Sequence, residues 1–130
     1  MAATYLDSSA LVKLAVEEPE SGALRRYLRR RRPLVSSALA RTEVLRALLL
    51  EGHEGLARGR SVLERVELIR INDRILNAAA TLLPVEVRSL DAIHLATARQ
   101  LAADLDRVVT YDERMLAAAT QLGFRTAAPT

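Results

Sequence analysis

Several residue types are missing or scarce in the sequence, and each absence excludes a class of site. No cysteine is present, which excludes disulfides, thiolate zinc sites, iron–sulfur clusters and cysteine nucleophiles. Tryptophan is absent and aromatic residues make up only 3% of the chain, which argues against binding by rows of stacked bases. The glycine fingerprints of nucleotide-binding loops do not occur either. Any chemistry must therefore come from acidic, basic, histidine or hydroxyl side chains.

Long apolar runs are missing as well. No stretch approaches the roughly 18 apolar residues that a membrane helix needs. The residues before Leu6 lack the basic segment that opens a secretion signal, and Asp7 interrupts the apolar run that would have to follow it. We therefore expect a soluble protein that works in the cytoplasm without contact to a membrane.

The 130 residues are half apolar, which suits a single domain over residues 1–130 with a core that needs no covalent staples. The formal net charge is +3, and Lys13 is the only lysine among the 19 basic residues. This excess of arginine is compatible with a polyanionic partner but does not require one. The densest basic patch comprises Arg25, Arg26 and Arg29–Arg32, which suits either phosphate contacts or a solvated helix face.

Short β-prone runs alternate with longer helical patterns along the chain. This alternation predicts a mostly parallel sheet covered on both faces, a three-layer α/β/α domain. In such sheets the ligand crevice lies at the carboxyl ends of the strands. Strands are predicted at residues 4–6, 34–36, 66–71, 107–110 and 124–126. Helices are predicted at residues 8–16, 20–32, 38–50, 72–83, 89–102 and 112–122, with a further helix ending near residue 64.

Four acidic residues stand where this architecture gathers polar side chains. Asp7 ends the first strand, Asp112 follows the fourth, and Asp91 and Glu43 each lie in the first turns of a helix. Each position also has an ordinary structural explanation. Asp7 and Asp112 are good helix N-caps, worth about 1 kcal/mol each, and Asp91 is favoured by the helix dipole.

Helical periodicity argues that Glu43 and Asp91 do more than cap. Acids on the buried side of a helix are costly unless a buried arginine or a metal ion compensates them. At 100° per residue, Glu43 shares a stripe with Leu39, Ala40, Ala47 and Leu50. Asp91 shares one with Leu95, Ala98 and Ala102.

If the four carboxylates share one crevice, their mutual repulsion raises the pKa values of some of them. A hard divalent cation relieves that repulsion, and an all-oxygen ligand set suits Mg²⁺ or Mn²⁺ rather than Zn²⁺. Such an ion polarises a phosphate oxygen and lowers the pKa of a bound water. The pattern therefore favours phosphodiester hydrolysis, provided that the acids converge.

The segments around these acids resemble those of the PIN-domain ribonucleases, and more narrowly the VapC-type toxins of bacterial toxin–antitoxin pairs. The resemblance covers nearly the whole chain, in the order and at the length usual for that family. It is carried by Tyr5–Lys13 (YLDSSALVK), Thr42–Val44 (TEV), Leu90–Ala98 (LDAIHLATA) and Val109–Asp112 (VTYD).

The resemblance implies an endoribonuclease that depends on Mg²⁺ or Mn²⁺. Asp7 and Asp91 would be the main metal ligands, Glu43 a further ligand or water orienter, and Asp112 the fourth acid. The hydroxyl of Thr110 would hold the Asp112 carboxylate. It also implies a homodimer, inhibition by a VapB-type antitoxin that covers the site, and a tRNA or rRNA substrate. PIN domains include inactive binding modules, so a non-enzymatic RNA-binding or protein-interaction module is the alternative.

The remaining candidates have weaker signals. His94 is interpreted as a structural histidine on a face with Leu90, Thr97 and Leu101, and His53 as a solvated loop residue. Were both catalytic, RNA cleavage through the 2′-hydroxyl without metal would be the alternative chemistry. A signalling receiver domain is excluded because Ser8 stands where a second acid is needed. Ser8 is instead expected to face the acidic pocket, and Tyr5 and Phe124 to lie in the core. Leucines 45 and 48–50 predict either full burial or a subunit interface.

Overall fold

The computed structural model describes residues 2–130, which form a five-stranded parallel sheet with helices on both faces. The predicted three-layer α/β/α class is confirmed. The strands are β1 (Ala3–Leu6), β2 (Leu34–Ser37), β3 (Glu67–Ile69), β4 (Leu105–Val109) and β5 (Thr126–Ala127). The α-helices are α1 (Ser8–Ala15), α2 (Ser21–Leu28), α3 (Ala40–Ala47), α4 (Gly52–Glu64), α5 (Asp73–Ala80), α6 (Ser89–Gln100) and α7 (Glu113–Gln121).

The strand order is β3-β2-β1-β4-β5. The chain therefore starts in the middle of the sheet, builds outwards through β2 and β3, and then crosses to the other side of β1 for β4 and β5. The order reverses between β1 and β4, and their connections leave in opposite directions. This switch point is where parallel sheets open a crevice at the carboxyl ends of their strands.

The alternation of side chains across β1 divides the core between the two helical layers. Leu6 packs with residues of α1–α4 on one face. Tyr5 packs on the opposite face, in a cluster with Val108 of β4 and Ala98 of α6. A third cluster joins α6 to α7 through Leu95 and Met115. Tyr5 is buried as predicted, and Phe124 packs half-buried against this face.

The helix predicted over residues 38–50 is shorter than expected. It ends at Ala47, and a 3₁₀ turn over Leu49–Glu51 leads into α4 through Gly52, whose φ of 71° is in the left-handed region. The chain bends away from the core there, so Leu50 is 99% exposed while Leu48 is buried. The predicted full burial of this leucine run is therefore wrong.

Several other helices and strands end one to four residues earlier than predicted, because the hydrophobic pattern does not reveal at which residue an element ends. The helix predicted over 20–32 ends at Leu28, and the one predicted over 72–83 ends at Ala80. The strand predicted over 66–71 spans only Glu67–Ile69, and the last strand is shifted to Thr126–Ala127. Among residues 2–130, no helix has the length and apolar character needed to cross a membrane.

Candidate active site

Asp7 lies directly after β1, at the switch point of the sheet, and is 4% exposed. Its Oδ1 accepts hydrogen bonds from Ser9 Oγ at 2.7 Å and from the backbone N–H of Ala10 at 3.1 Å, so it caps α1 as predicted. Its Oδ2 accepts from Thr110 Oγ1 at 2.5 Å. Burial raises the pKa of Asp7, although the hydrogen bonds from Thr110 and Ser9 act against that increase.

The contact of Thr110 corrects one expectation. Its hydroxyl does not hold the carboxylate of Asp112; it donates to Asp7 and accepts from the backbone N–H of Asp112 at 3.1 Å. The Asp112 side chain is occupied with α7 instead. Its Oδ1 accepts from the backbone N–H groups of Arg114 and Met115, at 2.9 and 3.1 Å, as an N-cap. Asp112 is therefore tied to the site through its backbone, and its carboxylate is exposed.

Asp91 lies half-buried in the first turn of α6 and accepts no hydrogen bond from another side chain or backbone group in the described part of the chain. Burial raises its pKa, and the negative charge of Asp112 raises it further, with smaller increases from Asp7 and Glu43. The sequence argument had assumed that the four acids converge. Ser8, which follows Asp7, donates to Glu43, and Thr110 links Asp7 to the backbone of Asp112, so these three acids lie at the same end of the sheet. Their negative charges also act on the pKa of Asp91.

Glu43 projects from the first turn of α3 and its side chain is 25% exposed. Its Oε1 accepts from Ser8 Oγ at 2.6 Å and contacts His94 Nε2 at 2.7 Å. Burial alone would raise its pKa, but the hydrogen bonds from His94 and Ser8 together outweigh burial and lower it.

The stripe predicted beside Glu43 is correct only in its first turn. Ala40 is buried as predicted, but Ala47 and Leu50 are exposed, and the core-facing residues that follow Ala40 are Val44 and Leu48. Glu43 therefore stands at the edge of the core. The stripe predicted for Asp91 is correct at Leu95 and Ala98, which are buried. It is wrong at Ala102, which is exposed.

The two histidines have different surroundings. His94 is buried as predicted, but it joins a polar network, and Leu90 beside it on the helix is 48% exposed. His53 is exposed as predicted, although it lies in the first turn of α4 rather than in a loop. Periodicity could not find the network around His94, since its partners come from residues 89 and 51 positions away.

The basic patch lies away from the acids. Arg25, Arg29 and Arg32 line a cavity of about 260 Å³ together with Leu34, at the start of β2. That is the amino end of the strands, opposite to the acidic site. Arg25 forms an ion pair with Glu17 at 3.1 Å, and the guanidinium of Arg31 stacks 4.0 Å above the Tyr27 ring.

The donor set fits a hard divalent cation. Asp91 keeps both carboxylate oxygens without hydrogen bonds, and Asp112 and Glu43 keep one oxygen each, as far as residues 2–130 are concerned. A cation would also reduce the repulsion that raises the pKa of Asp91. Within the described chain, no three His, Asp or Glu side chains are already gathered around one point that would hold a metal ion. Binding would therefore draw the carboxylates closer together.

The class of protein follows from sequence comparison together with this architecture. The sequence profile of the PIN domain matches residues 4–121. The chain belongs to the PIN-domain family.

Sequence identity to individual proteins places the chain more narrowly within this family. It is 60% identical to Ribonuclease VapC46 of Mycobacterium tuberculosis over 129 residues, which cover 99% of each chain. It is 38% identical to Ribonuclease VapC47 of the same species, covering 96% of each chain. The chain therefore belongs to the VapC ribonucleases within the PIN-domain family.

Solved structures show the same fold at low sequence identity. VapC20 of Mycobacterium tuberculosis, described as a sarcin–ricin loop cleaving toxin, superposes with a TM-score of 0.77 at 18% identity, covering 98% of this chain and 100% of that one. A toxin–antitoxin complex from Klebsiella pneumoniae superposes with a TM-score of 0.74 at 21% identity, covering 98% of both chains.

Proposed function

We propose that this protein is an endoribonuclease that depends on Mg²⁺ or Mn²⁺ and serves as the toxin of a toxin–antitoxin pair. The observation that carries the proposal is Asp91, a half-buried carboxylate without a hydrogen-bond partner in the described chain, whose pKa is raised by burial and by Asp112. The helix dipole of α6 favours an acid at this position, but it does not offset the repulsion from Asp112, Asp7 and Glu43 that raises the pKa of Asp91. The 60% identity to a protein named as a ribonuclease supports RNA as the substrate.

Asp7, Asp91 and Asp112 would hold the ion. When bound, the metal lowers the pKa of a water molecule and neutralises charge on the phosphate. Thr110 and Ser9 hold the Asp7 carboxylate in one orientation through its two oxygens. Glu43, ionised and held by Ser8 and His94, is placed to accept a proton from water or to orient it.

The metal-free alternative lacks a suitable pair of histidines. Both ring nitrogens of His94 are engaged, Nδ1 with Tyr5 Oη and Nε2 with Glu43, each at 2.7 Å. A buried ring held in this way is not free to act as acid or base towards a 2′-hydroxyl. His53 is exposed on α4 and belongs to none of these contacts.

The exposed apolar residues support the proposed partners, a second copy of the chain and a VapB-type antitoxin. Leu76, Leu83 and Val85 line a cavity of about 370 Å³ between α5 and α6, and all three are exposed. Leu50 is almost fully exposed elsewhere on the surface. Exposed apolar surface of this kind marks protein interfaces. A homodimer in the cytoplasm, inhibited by an antitoxin, would cover these residues, and light scattering on the purified protein measures the dimer directly.

The experiment that tests the activity compares wild-type protein with Asp91→Asn on a pool of tRNA and rRNA, with Mg²⁺ or with EDTA. We expect discrete fragments from wild type with Mg²⁺ only. The variant should lose more than the roughly 10- to 100-fold that removal of an outer-shell group typically costs.

Asp73→Asn is the matched control, because Asp73 is an exposed carboxylate in the first turn of α5. It should cleave like wild type. Cleavage that persists in EDTA and in Asp91→Asn would contradict the proposal. Metal binding by calorimetry without RNA turnover would favour the alternative of an inactive RNA-binding module.

A further inference from the structure

A chain of hydrogen bonds crosses from β1 through α6 to α3. Tyr5 Oη and His94 Nδ1 are 2.7 Å apart, and His94 Nε2 and Glu43 Oε1 are also 2.7 Å apart. The hydroxyl of Ser8 donates to the same Glu43 oxygen at 2.6 Å. The Tyr5 and His94 rings meet edge to face, with centroids 5.9 Å apart and planes at 80°. Both rings are buried, so neither can turn without displacing core residues.

The direction of the hydrogen bonds follows from the chemistry of the three groups. Glu43 Oε1 acts as an acceptor, since the Ser8 hydroxyl donates to it at 2.6 Å, and the oxygens of a carboxylate can only accept. Nε2 of His94 must therefore carry a hydrogen. In the neutral ring Nδ1 is then the acceptor, and the Tyr5 hydroxyl donates to it. Burial raises the pKa of Tyr5, so the phenol keeps its hydrogen.

The two hydrogen bonds to Glu43, from Ser8 and from His94, are both accepted by its Oε1. Oε2 accepts no hydrogen bond within residues 2–130. One carboxylate oxygen is therefore fixed by two donors while the other stays available. The network lies between the sheet and the acidic site, and of its members only Glu43 and Ser8 have appreciable solvent exposure.

We propose that Tyr5 and His94 are positioning residues that fix the side chain of Glu43 and thereby keep its second oxygen free for water or substrate. Tyr5 donates to Nδ1 of His94 and Glu43 accepts from Nε2, so both contacts favour the tautomer with hydrogen on Nε2, and that hydrogen holds Glu43. This role rests on the proposed function of the site and adds two residues to it that touch neither metal nor RNA.

Two amide substitutions separate the two halves of the network. In His94→Gln the terminal amide nitrogen takes the place of Nε2 and can still donate to Glu43. In His94→Asn the amide takes the place of Nδ1 and reaches only Tyr5. Each variant keeps one contact of the ring, so a merely structural role predicts the same loss of cleavage for both.

We expect His94→Gln to retain most of the wild-type kcat and His94→Asn to lose about 10- to 100-fold, as for other outer-shell groups. KM should change little in both, because His94 is buried and does not touch RNA in the proposed site. The assay uses an RNA whose fragments the wild-type protein releases in the first experiment. Equal losses of kcat, or losses confined to KM, would overturn the proposal.

The tautomer is measured without RNA, so it tests the network even if the proposed activity fails. ¹⁵N-NMR of the histidine side chains should show His94 with hydrogen on Nε2 in wild type. Glu43 favours the same tautomer, so the effect of Tyr5 is measured with Glu43→Gln as the background. Glu43→Gln should keep the hydrogen on Nε2, because the Tyr5 hydroxyl still donates to Nδ1, and the double variant Tyr5→Phe/Glu43→Gln should show a mixture of tautomers. A wild-type signal for hydrogen on Nδ1 alone, or an unchanged Nε2–H tautomer in the double variant, would overturn the role of Tyr5.

Discussion

Asp7 and Asp91 carry the same functional group but meet different surroundings at the switch point. Asp7 is buried, and its two oxygens accept hydrogen bonds from Ser9, Ala10 and Thr110. Asp91 is half-buried and depends on solvent, since none of the described residues donates to it. The pKa of each is raised by burial, but only in Asp91 does the charge of a neighbouring acid follow as the second cause. Asp91 is therefore the carboxylate at which removal of charge should stabilise the metal-free protein.

Asp91→Asn should raise the free energy of unfolding in EDTA at pH 7. The pKa of the Asp91 carboxyl is higher in the folded state than its ordinary value of 3.8. The protein therefore loses stability as the pH rises from 3.8 through the raised pKa, because the folded state then has to ionise this group. The gain from Asp91→Asn should therefore be full at neutral pH and disappear as pH falls towards 3.8. Urea denaturation at several pH values measures this difference.

Asp73→Asn again serves as the control, because Asp73 is exposed and belongs to another helix. It should show a small loss from the helix dipole rather than a gain. A stability gain in Asp91→Asn that does not change between pH 7 and the acidic range would contradict the assigned cause.

The N-terminus of α7 combines two roles in one residue, helix capping and membership of the acidic site. Asp112 caps α7 with one carboxylate oxygen and belongs to the acidic site by its charge. Asn72 caps α5 in a similar way, accepting from the backbone N–H of Ile75 at 2.9 Å, but belongs to no acidic cluster. The cap at Asp112 was predicted from the sequence, whereas Asn72 was predicted only as the first residue of its helix. The contribution of Asp112 to the acidic site, in contrast, depends on Asp91, which lies on a different helix.

Substitutions at these two caps should separate stability from activity. Asp112→Asn keeps an N-cap and should preserve stability while lowering RNA cleavage, because asparagine caps as well as aspartate but lacks the charge. Asp112→Ala should lose cleavage and also about 1 kcal/mol of stability. Thermal denaturation and the RNA cleavage assay, run on the same preparations, give both quantities.

Asn72→Ala is the matched control for the cap alone. It should lose about 1 kcal/mol, like Asp112→Ala, and cleave RNA at the wild-type rate. Wild-type cleavage by Asp112→Asn would show that Asp112 acts only as a cap.

The four acids and the basic patch lie at opposite ends of the sheet. The acids lie near the carboxyl ends of the strands, while Arg25, Arg29 and Arg32 line a cavity at the amino ends. Folding therefore brings the charges of the four acids together at one end of the sheet, where Arg88 and Arg114 line a cavity beside Asp91. A divalent cation that binds only the folded state should stabilise the whole domain by linkage.

Mg²⁺ should raise the Tm of the wild-type protein. When its concentration is 100 times Kd, the free energy of unfolding should increase by about 2.7 kcal/mol. NaCl at matched ionic strength controls for general screening, which weakens repulsion between exposed charges without occupying a site. The same titration of Asp91→Asn should give a much smaller increase. An equal rise of Tm with NaCl and Mg²⁺ would contradict a specific site.

Much of this architecture was readable from local patterns. The order of strands and helices, the parallel sheet and the N-caps at Asp7 and Asp112 follow from residues close together in sequence, because hydrophobic period and capping are local properties. The position of each acid relative to its strand or helix was likewise predictable. The convergence of the acids could only be assumed, and the network around His94 could not be seen.

The sequence by itself determined the fold class and the acidic residues that face the crevice, since both follow from local periodicity and from resemblance in short segments. Only the tertiary structure decided which groups touch. Thr110 holds Asp7 instead of Asp112, and His94 joins Tyr5 to Glu43 across 89 and 51 residues of sequence. Such contacts depend on how helices pack on the sheet, and that geometry is set by the core as a whole.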